Sequence, residues 1–148
     1  MAQLSKGTPV LVHVVTQHVQ DGELSKFDEN FNGQFFQMGT SIYLRYKEKL
    51  ADQKPALVTI KVAAPDEVQL TRKNDDLNLH LYFFAGKQVN ARYVTQYGVV
   101  PVTTQTTKLN VVVGDTFDGL VGKINIDYLL YSGSQQLGDY KIRLQFKG

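Results

Sequence analysis

The final stretch of the chain, residues 140–147, reads Tyr-Lys-Ile-Arg-Leu-Gln-Phe-Lys, and apolar and polar side chains alternate throughout it. Successive side chains of an extended strand point to opposite faces, so the even-numbered residues from Tyr140 to Phe146 share one apolar face. Lysine, arginine and glutamine occupy the other face. Such a strand is typical of an antiparallel sheet that has one dry side. This stretch therefore predicts β-structure.

The same alternation recurs along the chain in short runs that end at turn signals. Asp21-Gly22, Pro65-Asp66 and Ser132-Gly133-Ser134 are such signals, and Asp-Gly between two alternating runs is typical of a tight hairpin. Closure into a barrel is favoured because it removes the exposed edge strands. We predict an all-β fold, a single antiparallel up-and-down β-barrel of about 8–10 strands.

The size and composition of the chain predict one domain. Its 148 residues, of which 43% are hydrophobic, match the usual length of a single domain. We assign residues 1–148 to one barrel domain and expect residues 1–8 to form a flexible N-terminal segment. The chain has no cysteine, which excludes disulfides, thiolate metal sites and cysteine nucleophiles.

Targeting and membrane signals are not visible in the sequence. The first apolar run, residues 10–15, is short and is interrupted by His13, whereas a secretory signal or a membrane span needs a longer apolar stretch. We therefore predict a cytoplasmic protein without a membrane span. The net charge of +2 is too small to indicate nucleic acid as a partner.

Several segments together carry a resemblance to a known family. They include Gly33-x-Phe35-Phe36, the run at residues 42–48, the run Ala91-Arg92-Tyr93-Val94-Thr95-Gln96-Tyr97-Gly98, and Val102-x-Thr104-x-Thr106. With these segments the chain resembles the YwiB-like family of small Firmicute proteins. The resemblance implies a calycin-like (lipocalin-like) barrel and brings no catalytic residues. The chain has no tryptophan, so it lacks the Gly-x-Trp of true lipocalins.

No arrangement of residues indicates catalysis or metal binding. His13, His18 and His80 lie on separate runs without a metal-ligand spacing, and we interpret them as structural residues. Neither Gly-x-Ser-x-Gly nor Gly-x-x-x-x-Gly-Lys occurs. We predict no catalytic residues, no metal and no cofactor, and we lean towards a protein that is not an enzyme.

Some polar side chains share strand faces with apolar residues. Arg72 shares its face with Val68 and Leu70, and Glu48 shares its face with Leu44 and Tyr46. A buried arginine needs a partner, because an isolated buried charge is costly, and Glu48 is the expected partner. The candidate ligand-binding residues, all expected near one end of the barrel interior, are Arg72, Glu48, Tyr46, Tyr93, Tyr97, Thr104 and Thr106.

The same alternation predicts which side chains fill the barrel, since a slip of one residue would bury their charged neighbours instead. The residues predicted to point inward are Ile42, Leu44, Ile60, Val62, Leu79, Leu81, Ile124, Ile126, Ile142 and Leu144.

Two functions remain open at this point. The first is binding of a small, largely apolar or amphipathic molecule, with or without an anionic head, in the barrel interior. The second is a non-catalytic interaction or scaffold module, whose barrel is filled by its own side chains and whose polar cluster is a structural plug. Both interpretations use the same residues, and the sequence does not choose between them.

Overall fold

The computed structural model describes residues 7–49, 54–95, 97–117 and 119–148, and these form ten antiparallel strands. The strands are β1 (Thr8–Gln20), β2 (Glu23–Met38), β3 (Ser41–Glu48), β4 (Ala56–Ala64), β5 (Glu67–Lys73), β6 (Asn78–Phe84), β7 (Gln88–Thr95), β8 (Gly98–Thr116), β9 (Gly119–Ser132) and β10 (Gln135–Lys147). No helix that could cross a membrane occurs within these ranges.

The strands close into one barrel in which every strand pairs with its neighbours in sequence and β1 pairs with β10. This confirms the predicted all-β, up-and-down barrel. Closure requires β1 and β10 to meet, and they do so over nine residue pairs, from Leu11 opposite Lys147 to Val19 opposite Asp139. The two strands that would be the edges of an open sheet, β1 and β10, are thereby paired with each other. The barrel therefore has no free edge between them.

The turn between β1 and β2 has the geometry that its sequence predicts. Asp21 and Gly22 both have positive φ, 53° and 80°, as a type I′ hairpin turn requires. Glycine accepts this conformation without a steric penalty, and aspartate is among the few other residues that tolerate it.

One end of the barrel carries the connections that follow β1, β3, β5, β7 and β9. Arg72 and Glu48 lie near this end, which is called the Arg72 end below. The opposite end carries the other four connections, together with Gly7 and Gly148.

The predicted inward residues form the core. Leu44, Ile60, Ile124, Ile126 and Leu144 are each no more than 2% exposed. Val62, Leu81 and Ile142 are also buried, and Ile42 and Leu79 are partly buried and packed against the core. The register prediction is therefore confirmed.

The charged neighbours of the core residues lie on the outer wall. Arg45 is exposed, and Arg143 donates to Asp127 on the adjacent strand at 2.7 Å. This ion pair neutralises one of the basic side chains on the polar face of β10.

Of the predicted flexible segment 1–8, residues 1–6 lie outside the described residues. Thr8 already belongs to β1, where it is opposite Phe35 of β2. Pairing with β2 thus extends the strand further towards the N-terminus than the sequence alone indicates.

Candidate functional site

An ion pair connects two strands that are not neighbours. Glu48 is the last residue of β3, Arg72 lies on β5, and the intervening strand β4 places Ala56 opposite Glu48 and Val58 opposite Arg72. Arg72 Nη2 donates to Glu48 Oε1. The glutamate side chain is 9% exposed and the arginine side chain 42%. The carboxylate is therefore buried, while the guanidinium extends from it towards solvent. The ion pair that the sequence predicts between Arg72 and Glu48 is therefore present.

Beside this pair, a cavity of about 430 Å³ enters the barrel from the Arg72 end. We call it the inner cavity. Its walls are mostly apolar, with Val14, Val58, Ile60, Leu70, Leu79, Leu81, Ile142 and Leu144. Polar side chains join them, namely Glu48, Arg72, Lys26, Ser25, Thr16 and His18. An apolar space with a few polar groups is the usual form of a small-molecule site.

One wall of the inner cavity is a column of stacked rings. The rings of His18 and Tyr140 are 4.2 Å apart with planes 7° from parallel, and those of Tyr140 and Tyr128 are 5.0 Å apart at 6°. On β2 and β3, Phe31 stacks on Tyr46 at 5.1 Å. Each ring is held by its neighbour, so the column presents a rigid surface to the cavity.

Burial shifts the ionisation of two phenols of this site. Burial raises the pKa of Tyr46 well above its usual range, and Glu48 raises it further, although Arg72 acts against this. Burial also raises the pKa of Tyr128, with a smaller contribution from Tyr140. Both hydroxyls therefore stay protonated further into the alkaline range than an exposed tyrosine does.

The structure brings together three of the seven candidate residues: Tyr46, Glu48 and Arg72 line the inner cavity. Tyr93 lies on the rim, where it shares a smaller pocket of about 230 Å³ with Arg72 and Lys54. Tyr97 lies at the β7–β8 turn and is 90% exposed. A side chain in that position faces bulk water and does not line the cavity.

The structure separates the other two candidates, Thr104 and Thr106, from this group. Both are buried, and they lie on β8 beside the β6–β7 turn, where Thr106 is opposite Tyr128 of β9. Thr104 Oγ1 donates to the carbonyl of Tyr82 at 2.5 Å. The described pairing between β6 and β7 stops at His80 opposite Arg92, so this hydroxyl satisfies a carbonyl just beyond the paired region. Neither threonine is among the residues that line the inner cavity with Arg72.

Four titratable cavity residues were not among the candidates: Lys26, His18, Tyr128 and Tyr140. Tyr128 follows Ile126 on the inward face of β9, and Tyr140 precedes Ile142 on the inward face of β10. The alternation therefore predicts that both tyrosines point inward. His18 likewise continues the inward face of β1. Lys26 has no such signal, because the alternation places this exposed residue on the outer face of β2, opposite Gln17 of β1.

The other two histidines lie on the outer wall. His13 is hydrogen-bonded to Asp28 at 2.7 Å, and His80 stacks on Tyr82 with ring centroids 4.4 Å apart. Among the residues that the structure describes, no group of three or more histidines or carboxylates could hold a metal ion.

Comparison with known proteins gives a family and a fold. The sequence profile of a family described as "Domain of unknown function (DUF1934)" matches residues 12–144. The crystal structure of the ywiB protein from Bacillus subtilis is similar, with a TM-score of 0.80 and 21% sequence identity over 95% of this chain and 92% of that one. At this identity the similarity supports the fold alone. No curated protein matches the chain.

Proposed function

The chain belongs to the DUF1934 family of unknown function, and we propose from its site that it binds one small amphipathic molecule. The apolar part of the molecule occupies the inner cavity, and its anionic group lies at Arg72. The observation that carries this proposal is the apolar cavity of about 430 Å³ with an ion pair at its mouth.

The size and position of the cavity support the proposal. Small-molecule sites typically measure about 300–1,000 Å³ and combine apolar walls with a few polar groups. Closed barrels of the lipocalin type hold one small ligand in their interior. The inner cavity has this volume and lies inside the closed barrel.

The charges at the mouth favour an anionic group on the ligand. Two basic side chains, Arg72 and Lys26, line the cavity with one carboxylate, Glu48. Glu48 is bonded to Arg72, and in the described part of the chain Lys26 has no ion pair. A guanidinium has five donors in a fixed fork, so Arg72 retains donors for a second anion on its exposed side.

A fluorescence titration with anilinonaphthalene sulfonate tests the proposal, because this probe combines an apolar body with an anionic group. The site variant is Arg72→Met with Glu48→Gln. Its matched control is Arg143→Met with Asp127→Asn, which removes the ion pair on the outer wall. We expect the wild type and the control to bind equally and the site variant to bind about tenfold more weakly, as for a lost charge-assisted hydrogen bond. Equal binding by all three proteins would contradict the proposal.

A second candidate, the interaction module, is favoured by a different observation. A groove of about 470 Å³ lies on the outer wall of β1, β10, β9 and β8. Three of its apolar residues are exposed, Leu11 at 45%, Val112 at 61% and Val121 at 39%. If the substitution Val112→Glu abolishes probe binding and the Arg72 variant does not, the outer groove is the binding surface.

A further inference from the structure

The pairing between β6 and β7 is short and leaves a pocket on the outer wall of the barrel. In the described part of the chain it comprises three residue pairs, from Asn78 opposite Val94 to His80 opposite Arg92. Residues of both strands line a pocket of about 350 Å³ here, which we call the β6–β7 pocket. Its lining residues are Asn78, His80, Tyr82, Asn90, Ala91, Arg92 and Val94.

The polar side chains of the β6–β7 pocket are mostly hydrogen-bond donors, and no carboxylate is among the described residues that line it. Arg92 is exposed, and within the described ranges it has neither an ion pair nor a side-chain hydrogen bond. Asn90 accepts from Thr103 through Oδ1, so its N–H groups remain to donate. The pocket therefore combines an unneutralised guanidinium with free amide donors.

The charges around the pocket do not cancel that of Arg92. Lys73 lies opposite Asn78 on β5, and it has no ion pair within the residues that the structure describes. The nearest carboxylates along the chain, Asp75 and Asp76, belong to the turn before β6, where Asp76 is bonded to Lys54 at 3.0 Å. The electrostatic environment of the pocket thus favours an anion.

His80 supplies an independent sign that the polar wall of the pocket is incomplete. Its Nε2 atom is buried and makes no hydrogen bond within the described residues, and such an atom is frequently the partner of a water molecule or an ion. Burial, and to a lesser degree the charge of Arg92, lower the pKa of His80. The imidazole is therefore neutral at neutral pH, and the charge of the pocket comes from Arg92.

We propose that the β6–β7 pocket binds a tetrahedral oxyanion, namely free phosphate or the phosphate group of a monoester, with Arg92 as its charged partner. The planar fork of a guanidinium matches two oxygen atoms of a phosphate. The remaining oxygens accept from Asn78 and Asn90, which share the outer face with Arg92 and are within reach of a group held by it. A carboxylate has only two oxygen atoms, so it leaves these amides without a partner. This site lies on the outer wall and does not rest on the proposed function.

Titrations of the full chain with inorganic phosphate, glycerol 3-phosphate and acetate test the proposal. They are followed by the NMR signals of the histidine rings, at constant ionic strength and about pH 7.5, where a phosphate monoester is mostly doubly charged. The chain has three histidines. We expect phosphate to shift the signal of His80 saturably and to leave those of His13 and His18 in place, because His13 lies elsewhere on the outer wall and His18 lines the inner cavity. Acetate is expected to bind at least about tenfold more weakly than phosphate.

Arg92→Gln is the site variant, and Arg45→Gln is its matched control. Arg45 is also an exposed arginine of the outer wall, and it lies over the ring of Phe36. We expect phosphate to bind Arg92→Gln about tenfold more weakly than the wild type, as for one lost charge-assisted hydrogen bond, and to bind Arg45→Gln as it binds the wild type. Asn78→Ala should weaken binding by a smaller factor, because it removes a neutral donor.

The outcomes distinguish the source of the anion and decide the proposal. Tighter binding of glycerol 3-phosphate than of phosphate would identify a monoester, and the reverse order would identify the free ion. Equal affinity of the wild type and Arg92→Gln for phosphate, or shifts at His18 instead of His80, would overturn the site. Equal affinity for acetate and phosphate would overturn the preference for a tetrahedral oxyanion.

Discussion

Arg72 on β5 bonds to Glu48 on β3 by crossing the inner face of β4, above Ala56 and Val58. The long arginine side chain spans the width of one strand, and the two short side chains beneath it leave room for this path. The ion pair therefore links three strands at the mouth of the inner cavity. Its energetic role is the first point to test.

Removing one member of this pair is expected to destabilise the protein more than removing both. Arg72→Met leaves the buried Glu48 carboxylate without its partner, and we expect a cost of about 1–3 kcal/mol, reduced by the partial exposure of Arg72. Arg72→Met with Glu48→Gln should lie within about 1 kcal/mol of the wild type. Urea unfolding of a double-mutant cycle measures the coupling. Additive effects of the two substitutions would show that the pair contributes nothing as a unit.

The inward register makes a prediction about the core. Leu44 is 1% exposed and its neighbour Arg45 lies on the outer wall. Leu44→Ala should cost about 2–5 kcal/mol, because it removes buried methyl groups and leaves a cavity. Arg45→Ala, the matched control on the other face, should change stability by less than about 1 kcal/mol. Similar losses for the two variants in urea unfolding would contradict the register.

Thr104 is expected to stabilise the region where β6 and β7 separate. Thr104→Val keeps the shape but leaves the carbonyl of Tyr82 without the hydroxyl that donates to it, at a cost of about 1–3 kcal/mol. Hydrogen exchange should become faster in β6 and β7 before it does so elsewhere. Thr103→Val is the control, since its hydroxyl donates to Asn90 Oδ1 on the outer wall. Equal exchange rates in the two variants would rule out this role.

Stability should fall in alkali because of the buried tyrosines. The pKa of Tyr46 and that of Tyr128 are raised in the folded state, whereas the unfolded chain releases these protons near pH 10. Above about pH 10 the unfolded state therefore binds fewer protons, and stability falls by up to about 1.4 kcal/mol per pH unit for each residue. Urea unfolding between pH 9 and 11 measures the slope, and Tyr46→Phe with Tyr128→Phe should flatten it. An unchanged slope in that variant would contradict the assignment.

Gly122 on β9 gives room to Phe146 on β10. A Cβ atom at position 122 would lie 2.2 Å from Phe146 Cζ, so Gly122→Ala must displace a buried ring. We expect a loss of about 1–3 kcal/mol in urea unfolding, as for other overpacked cores. Adding Phe146→Leu should recover part of this loss. If the two substitutions are simply additive, the ring is not what excludes a side chain at this position.

Much of the fold could be predicted because alternation specifies a face. The run at residues 140–147 places Ile142 and Leu144 on the inward face, whichever strand pairs with it. The opposite register would bury lysine and arginine. Asp21-Gly22 likewise specifies a tight turn from backbone conformations that few other residue pairs adopt. These are local constraints, and they hold in the structure.

The composition of the site was decided by the tertiary structure. The alternation places Arg72, Glu48, Thr104 and Thr106 alike on inward faces, but it does not specify their height along the barrel axis. Strand lengths, turn positions and the closure of β1 on β10 set that height. They bring Glu48 to Arg72 across β4 and leave the two threonines beside the β6–β7 turn. The inner cavity likewise depends on how the closed barrel spaces its inward side chains, because strand pairing between distant segments determines the width of the interior.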